Sequence, residues 1–422
     1  MNSKTIGNIF KGDKVIWMIF FFLCMISIIE VYSASSSLTY KSENYMGPVI
    51  KHMGLLGLGI LTMICMLKVK CKYFKIVTPF VLGFSFLLLI WALVAGQSAN
   101  GASRWINLVG FNFQPSELAK GAVILAVAQI LSAMQTENGA NNRAFKFILV
   151  AVAPFVFLIG LENLSTAMLL CVTILCMMIV GRIPMKLIGI LVGTVLIAIS
   201  LMLGTIMIIG HDDQEAAKPE NTLTENVTKE EPSTAGKLFH RADTWKARID
   251  KFLDSKPVAP EDVDLNKDAQ VAHANIAIAS SNIAGKGPGN SVERDFLSQA
   301  YSDFIYSIII EEMGIEGAIA VAMLYIFLLF RVGRIANRCE NNFPAFLAMG
   351  LAILLVIQAL FNMMVAVGLA PVTGQPLPLI SRGGTSTVIN CVYLGIILSI
   401  SRTAKKKDGN QNAHHEAKIA VA

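Results

Sequence analysis

The chain has 422 residues, of which 54% are hydrophobic and only 15% are charged. This balance excludes a water-soluble globular protein of ordinary composition. The formal net charge of +6 does not indicate a nucleic-acid partner, because the excess of Lys and Arg lies in short loops between apolar segments.

Apolar segments long enough to cross a bilayer core of ~30 Å, which takes about 20 helical residues, recur along the sequence. We count ten such segments: 15–36, 46–67, 73–95, 115–134, 144–161, 165–181, 184–210, 303–331, 343–369 and 384–401. The first follows Lys11 and Lys14 but lacks a small-residue cleavage site and is longer than a signal-peptide core, so we expect it to remain as a span. The expected fold class is therefore all-α, a polytopic integral membrane protein with about ten transmembrane helices.

Positive charge alternates between successive loops. The positively charged loops and tail contain Lys68, Lys70, Lys72, Lys75, Arg143, Lys146, Arg182, Lys186, Arg331, Arg334, Arg338, Lys405, Lys406 and Lys407. The intervening short loops carry little more than Lys41, Arg104 and Arg382. Because the cytoplasmic side retains positive charge, both termini are predicted to be cytoplasmic. The expected organisation is one membrane domain, 1–422, with an extracytoplasmic loop at 211–302 and a cytoplasmic tail at 403–422.

The long extracytoplasmic loop changes character along its length. Its first half is rich in charged residues with few groups able to bury a core, which predicts a mobile loop. From 237 to 253 apolar residues recur at helical spacing, which predicts a short amphipathic helix on the membrane surface or an ordinary packed surface helix. The sequence GKGPG at 285–289 lacks the spacing of a phosphate loop and follows no strand, which excludes a nucleotide site. A turn in which Lys286 faces an anion, or a plain loop, remains open.

Polar groups at or near membrane depth are costly and therefore informative. Arg104 and Trp105 lie in the loop before the fourth span, where Trp105 could also be an interfacial anchor. Glu117 and Lys120 are three residues apart and can meet on one helix face, either as a functional pair or as a surface ion pair. In the short turn before the sixth span, Asn163 or Ser165 is the predicted N-cap. The seven cysteines show no metal-ligand spacing and no disulfide framework.

Three carboxylates mark the start of the eighth span. Asp303 stands at the helix entrance, where an acidic residue is also favoured by the helix dipole alone. Glu311 and Glu312 lie roughly 12 Å deeper at ~1.5 Å per residue, and no basic residue of the same helix neutralises them. We expect them to face a wet or cationic cavity, with Lys120 and Arg104 as candidate partners.

The stretch 362–387 is apolar but cannot form a regular helix. It contains three prolines and three glycines within 371–384. Non-helical backbone at membrane depth requires protein or water to satisfy it, which predicts a cavity wall. A loop that dips onto the outer surface is the alternative.

The motifs at these positions, in this order along the chain, resemble those of the SEDS family (shape, elongation, division and sporulation). The motifs are G-A-S-R-W-I and Q-P-S-E-L-x-K within 101–120, G-K-G-x-G at 285–289, S-D-F-I-Y and E-E-x-G within 302–314, and P-V-T-G-x-P-L-P-x-I-S-x-G-G at 371–384. The resemblance covers nearly the whole chain. The division-type, FtsW-like pattern is favoured over the elongation-type, RodA-like one, and the proline-rich motif occurs in both.

The resemblance implies a ten-helix enzyme that polymerises lipid II into peptidoglycan glycan strands at the outer face of the bacterial cytoplasmic (inner) membrane. It implies a divalent cation such as Mg²⁺ or Mn²⁺, with unknown ligands, and a class B penicillin-binding protein (transpeptidase) with other divisome proteins as partners at the division septum. It places the catalytic aspartate on Asp303, with Glu311 and Glu312 in support. The residues expected to bind substrate are Arg104, Trp105, Glu117, Lys120, Lys286, Ser381, Gly383 and Gly384.

The sequence departs from the family pattern at several supporting positions. Gln299 and Tyr301 replace the usual acidic and histidine residues before the aspartate, Asn163 stands where an acid is usual, and Arg382 replaces a common tyrosine. Two other functions remain open: a transporter that flips lipid II between leaflets, and a scaffold that positions the transpeptidase without catalysis of its own.

Overall fold

The structure is a computed structural model that describes residues 11–34, 47–99, 102–108, 111–137, 139–209, 269–297 and 300–419. The amphipathic helix predicted at 237–253 and the loop predicted before it lie outside these residues. The described part of the chain is mostly helical, as the apolar segments predict.

Eleven α-helices run through the described residues. They are α1 (Lys14–Ala34), α2 (Gly47–Lys68), α3 (Cys71–Ala95), α4 (Pro115–Ala133), α5 (Asn142–Glu162), α6 (Leu164–Val180), α7 (Met185–Ile209), α8 (Ala269–Ala279), α9 (Ile305–Ala336), α10 (Asn342–Ala366) and α11 (Thr385–Ile419). Eight of them are long and apolar enough to cross a membrane, and α6 and part of α7 are shorter apolar helices. These ten helices coincide with the ten predicted segments, which confirms the polytopic helical fold. Helix α11 continues to Ile419, whereas the predicted span ends at 401.

Local sequence explains where several helices begin. Pro115 occupies the first turn of α4, where its missing N–H costs no hydrogen bond. The Asn163 side chain accepts a 3.3 Å hydrogen bond from the backbone N–H of Thr166 and caps α6, which selects Asn163 over Ser165, the other predicted N-cap. Asp13 accepts a 2.9 Å hydrogen bond from a backbone N–H in the first turn of α1. The same carboxylate binds Arg331 of α9, with Nη2 2.8 Å from Oδ2, so the start of α1 is fixed to α9.

The loop before α4 contains a small sheet that the sequence did not predict. Its antiparallel strands are β1 (Gln97–Ala99), β2 (Ala102–Leu108) and β3 (Phe111–Phe113), in that order. Trp105 of β2 pairs with Gln97, and Ile106 pairs with Phe113. A second hairpin joins β4 (Gln135–Thr136) to β5 (Gly139–Ala140). The apolar face of the first sheet packs through Ile106 on Leu88 and Ala92 of α3.

The helices differ in how far they are buried. Helices α4 and α10, and α11 up to Ala404, are mostly buried by other helices, whereas α2, α3 and α5 expose most of their length. Exposed apolar side chains such as Phe80 and Leu87 of α3 fit a lipid-facing surface, because lipid does not penalise apolar exposure. The buried central helices carry polar side chains, including Lys120, Gln358 and Asn362, and these helices position the site.

The chain divides into two compact units, Met1–Met185 with Asp262–Ala422, and Lys186–Glu261. The described part of the second unit is α7 from Lys186 onward, an apolar helix that exposes Ile190, Leu196 and Ile197. Every candidate site residue belongs to the first unit.

Candidate active site

Asp303 lies two residues before the start of α9 and is half-buried. Ser302 Oγ donates a 2.9 Å hydrogen bond to Asp303 Oδ1. Asn362 of α10 donates a 2.9 Å hydrogen bond to the Asp303 backbone carbonyl. The other carboxylate oxygen, Oδ2, lies beside Gly374, where an added Cβ would be 3.5 Å from it. The carboxylate is therefore fixed in orientation at the N-terminal end of a helix, whose dipole favours a negative charge.

An apolar cluster supports the segment that carries Asp303. Phe304 directly follows Asp303, and Ile308 lies on α9. Both pack with Leu297, Ala300 and the α1 residue Ala34, and all five residues are buried. The residue next to Asp303 is therefore part of a buried apolar cluster. This arrangement restricts motion of the backbone beneath the carboxylate.

The segment between α10 and α11 is non-helical, as the prolines and glycines predict. Its carbonyl groups accept hydrogen bonds from side chains of the surrounding helices: Gln358 to Pro376 at 3.1 Å, Asn362 to Gln375 at 2.8 Å, Ser27 to Ile380 at 2.7 Å, and Tyr325 to Pro378. Leu377, Leu379 and Ile380 are buried. The loop is therefore embedded in protein and satisfied by it, which is the condition for irregular backbone at membrane depth. A loop that only dips onto the surface would not be buried in this way.

This proline-rich loop (residues 371–384) is joined directly to the Asp303 segment. Ser381 Oγ donates a 2.5 Å hydrogen bond to the Ser302 carbonyl, and the backbone N–H of Arg382 donates a 3.0 Å hydrogen bond to the Tyr301 carbonyl. Gly384 has a φ of 58°, in the left-handed region that glycine adopts without strain. Gly383 precedes it, where an added Cβ would lie 3.3 Å from the Ser386 Cβ. Ser381, Gly383 and Gly384 thus set the path of the loop where it meets the aspartate.

Glu117 and Lys120 form an ion pair, with 2.8 Å between Lys120 Nζ and Glu117 Oε1. Their meeting on one helix face is confirmed, but the surface ion pair is wrong, because both residues are buried. Lys120 also donates a 2.9 Å hydrogen bond to Gln358 Oε1, and Ser386 Oγ donates a 3.2 Å hydrogen bond to Glu117 Oε2. The Gln358 amide binds the proline-rich loop at Pro376. The pair therefore sits behind the loop and connects to it through one side chain.

Glu311 is fully buried, and its counter-charge comes from the segment between α8 and α9. Its carboxylate accepts a 2.6 Å hydrogen bond from Lys286 Nζ and a 2.5 Å hydrogen bond from Ser291 Oγ. The expectation that Lys120 neutralises this carboxylate is wrong, because Lys286 occupies that role. For Arg104, the second candidate partner, the side chain lies outside the described part of the structure. Lys286 therefore does face an anion, which is a carboxylate of the same chain.

Glu312 is also fully buried and binds a different set of donors. It accepts hydrogen bonds from Ser33 Oγ and from the backbone N–H groups of Gly289, at 2.9 Å, and Ser291, at 3.2 Å. Arg294 Nη1 lies 3.9 Å from its Oε1. The predicted cationic surroundings of the two glutamates are thus present, supplied by residues of the 286–294 segment.

A glycine divides α9 shortly after these glutamates. Gly314 has φ 68° and ψ −170°, which are not helical values, so 305–313 forms a separate short helix before the main span. The backbone N–H groups of Lys286 and Gly287 donate to the carbonyls of Glu311 and Glu312 at 2.9 Å and 2.8 Å. These bonds satisfy carbonyl groups that a helix end leaves without partners. The glycine-rich turn therefore caps the short helix that begins beside Asp303.

Two central residues of the site were missed by the sequence reasoning. Gln358 and Asn362 are buried on α10, four residues apart, and each donates to a carbonyl of the proline-rich loop. The sequence contained a signal for these residues, because two amides at helical spacing inside an apolar span are costly without hydrogen-bond partners.

Trp105, one of the predicted substrate-binding residues, is half-buried on β2.

The described residues contain no group of three or more His, Cys, Asp or Glu that could hold a metal ion. Mg²⁺ is usually held by one or two carboxylates together with substrate phosphates, so the divalent cation that the resemblance implies stays a prediction.

Comparison with known proteins identifies the family. Residues 13–406 match the model of the cell cycle protein family of FtsW, RodA and SpoVE. The chain belongs to this family. It is 30% identical over 419 residues to a Geobacter metallireducens protein named "Probable peptidoglycan glycosyltransferase FtsW", covering 96% of this chain and 99% of that one. It is 26% identical to the peptidoglycan glycosyltransferase MrdB of Escherichia coli K12, covering 94% and 96%.

Solved structures share the fold of this FtsW/RodA/SpoVE family member. A chain of a peptidoglycan synthase complex in which polymerisation and crosslinking are coordinated matches with a TM-score of 0.66 at 23% identity, over 93% of this chain and 98% of that one. The rod shape determining protein RodA of Thermus thermophilus matches with a TM-score of 0.61 at 22% identity, over 93% and 97%. At these identities the likeness concerns the fold alone. It agrees with the polytopic helical architecture described above.

Proposed function

We propose that this protein is a peptidoglycan glycosyltransferase that polymerises lipid II into glycan strands at the outer face of the bacterial inner membrane. The observation that carries the proposal is the Asp303 carboxylate at the start of α9, which accepts a hydrogen bond from Ser302 Oγ and lies against the proline-rich loop, while Asn362 holds the Asp303 backbone carbonyl. Its relatives in two bacterial genera are named peptidoglycan glycosyltransferases. The family and the fixed carboxylate together support this reaction.

The proposed reaction joins two lipid-linked disaccharides. The 4-hydroxyl oxygen of the acceptor sugar attacks the anomeric carbon of the donor, and the bond from that carbon to the diphosphate oxygen breaks. The electron pair of the broken bond leaves with undecaprenyl diphosphate, and the hydroxyl proton goes to Asp303. General-base catalysis of this kind contributes about 10²–10⁴-fold.

The contacts around Asp303 give the rest of the site a positioning role in this proposal. Asn362 holds the Asp303 carbonyl and the Gln375 carbonyl together, and Ser381 holds the Ser302 carbonyl. Small displacements of reacting groups are costly for rate. The buried pair of Glu117 and Lys120 supports the loop from behind through Gln358. Trp105, Arg104 and Lys286 remain proposed substrate contacts at the outer end.

We further propose a septal role with a class B penicillin-binding protein and other divisome proteins as partners. The higher identity to FtsW proteins than to MrdB favours this assignment. In the same proposal both termini and the 403–422 tail are cytoplasmic, 1–422 acts as one membrane domain, and 211–302 is extracytoplasmic. Complementation of separate division and elongation depletion strains tests the role: rescue of elongation only would overturn it.

Polymerisation by purified protein tests the activity. The protein is incubated with fluorescent lipid II in detergent, with Mg²⁺, Mn²⁺ or a chelator, and products are separated by gel electrophoresis. Glycan strands are expected, and their loss with the chelator would support the proposed divalent cation. Movement of labelled lipid II between leaflets of proteoliposomes without any polymer would instead support a flippase. Absence of both activities, together with full complementation by Asp303→Asn, would support a scaffold.

A further inference from the structure

The departing diphosphate in the proposed reaction carries negative charge and needs a cation whose own charge is not already balanced. Two of the sequence-predicted cations do not meet this condition. Lys120 is fully buried between Glu117, at 2.8 Å, and Gln358, at 2.9 Å. Lys286 lies 2.6 Å from Glu311. Each of these two ammonium groups already faces a carboxylate of the chain.

Arg382 is a cation of a different kind. Its guanidinium carbon lies 5.2 Å from the ring centroid of Tyr301, and its backbone N–H donates a 3.0 Å hydrogen bond to the Tyr301 carbonyl. Within the part of the chain that the structure describes, no carboxylate lies within ion-pair distance of it. The guanidinium is planar by its own delocalisation and presents N–H donors in a rigid fork that matches phosphate oxygens, and the face of an aromatic ring attracts its charge.

The position of Arg382 relates this cation to the reacting carboxylate. Tyr301, on which it stacks, is two residues before Asp303. Ser381, which precedes Arg382 in the loop, donates a 2.5 Å hydrogen bond to the Ser302 carbonyl. The proline-rich loop is therefore hydrogen-bonded directly to Tyr301 and Ser302. Arg382 is partly exposed where the loop meets the Asp303 residues, whereas the Lys120 ammonium is buried. A cation and a carboxylate on these connected segments can act in the same reaction: the cation binds the leaving group, and the carboxylate accepts the proton of the attacking hydroxyl.

We propose that the Arg382 guanidinium binds the diphosphate of the polyprenyl-linked donor. This inference rests on the proposed function. Bidentate N–H donation would hold the two phosphates in the ground state and stabilise the charge that develops as the bond from carbon to oxygen breaks. Tyr301 orients the guanidinium and is a positioning residue.

Three variants separate charge, shape and fold. Arg382→Gln removes the charge, Arg382→Lys keeps the charge but loses the planar fork, and Arg143→Gln removes an exposed arginine beside the N-cap of α5 as a matched control. For polymerisation of lipid II, kcat/KM is expected to fall about tenfold or more for Arg382→Gln, by the loss of charge-assisted hydrogen bonds. Arg382→Lys should lie between the wild type and Arg382→Gln, and Arg143→Gln should equal the wild type.

A binding measurement makes the test independent of turnover. Undecaprenyl diphosphate, undecaprenyl monophosphate and inorganic diphosphate are each added to the purified proteins, and thermal unfolding is followed. Undecaprenyl diphosphate is expected to raise the apparent Tm of the wild type and of Arg143→Gln, and to raise that of Arg382→Gln much less. A response to inorganic diphosphate alone would identify a site for the free anion, and an equal response to the monophosphate would overturn diphosphate recognition.

The outcomes distinguish this inference from the proposed function. If the wild type makes polymer and Arg382→Gln matches it in kcat/KM and in its response to undecaprenyl diphosphate, the inference fails while the function stands. If the wild type makes no polymer, the function fails. The inference then survives only if undecaprenyl diphosphate stabilises the wild type and not Arg382→Gln.

Discussion

The ammonium group of Lys286 lies 2.6 Å from the carboxylate of Glu311. Glu311 is fully buried, and the Lys286 side chain is 27% exposed. The pair fixes the glycine-rich turn at 285–289 to the short helix that begins beside Asp303. The ion pair therefore fixes the short helix through contacts that do not involve the proline-rich loop.

Removing Lys286 should destabilise the protein more than removing both partners. Lys286→Met leaves a buried carboxylate without its cation, at a cost of about 3 kcal/mol. The double variant Lys286→Met/Glu311→Gln removes that charge and should recover part of the loss. Thermal unfolding of the two single variants and the double variant in detergent measures the coupling. An additive double variant would contradict the buried pair.

Gly314 is predicted to tolerate no side chain. Its φ of 68° is strained for other residues, and an added Cβ would overlap the Ile283 carbonyl and the Gly285 backbone. Gly314→Ala should therefore lower the yield and apparent Tm strongly. Gly333→Ala in the same helix is the control, because its nearest heavy atom would be 4.0 Å away and its backbone is helical. Equal behaviour of the two variants would show that the break in α9 is absent.

Asn362 is expected to act on rate through the position of Asp303. Asn362→Ala removes the hydrogen bonds to the carbonyls of Asp303 and Gln375, and misplacement of the carboxylate should lower kcat by up to about 10²-fold. Asn342→Ala, at the exposed start of the same helix, should leave kcat unchanged. The readout is the rate of lipid II polymerisation at saturating substrate. An unchanged kcat for Asn362→Ala would exclude a role of Asn362 in positioning Asp303.

The ion pair of Asp13 with Arg331 should make stability depend on pH. Burial alone would raise the pKa of the Asp13 carboxyl, but hydrogen bonds and charge from Arg331 and the N–H groups of Val15 and Ile16 hold it below the ordinary value of 3.8. A lowered folded-state pKa contributes stability that is fully present above the unfolded pKa and is lost as the pH falls through the folded pKa.

Asp13→Asn tests this dependence while keeping a side chain that can cap α1. The variant should be less stable than the wild type by about 1 kcal/mol at pH 7. The difference in apparent Tm should persist at pH 5 and shrink below pH 4. A difference that grows as the pH falls would have the wrong sign and would contradict the lowered pKa.

The sequence predicted the helices well because hydrocarbon imposes a strong pattern. A run of about 20 apolar residues has few alternatives to a spanning helix, and the prolines of the 371–384 loop excluded a helix there. The short turn before α6 likewise limited its N-cap to Asn163 or Ser165, because capping depends on residues next to each other in the sequence.

Partners across the fold could not be predicted in the same way. Lys120 and Lys286 are both plausible partners for Glu311 by charge alone, and only the capping of the short helix by the glycine-rich turn decides between them. The three-stranded sheet at 97–113 was missed because short strands carry a weak local signal and depend on pairing. Gln358 and Asn362 were missed although their spacing marks one helix face.

Polymerisation of lipid II by the wild type, Asp303→Asn and Asp295→Asn tests the central claim most directly. Asp295 is a matched control because its side chain is 55% exposed in the segment before Asp303. If Asp303 is the general base, the wild type and Asp295→Asn should make glycan strands, and Asp303→Asn should make none above background at equal folded protein. Equal polymerisation by Asp303→Asn and the wild type would contradict it.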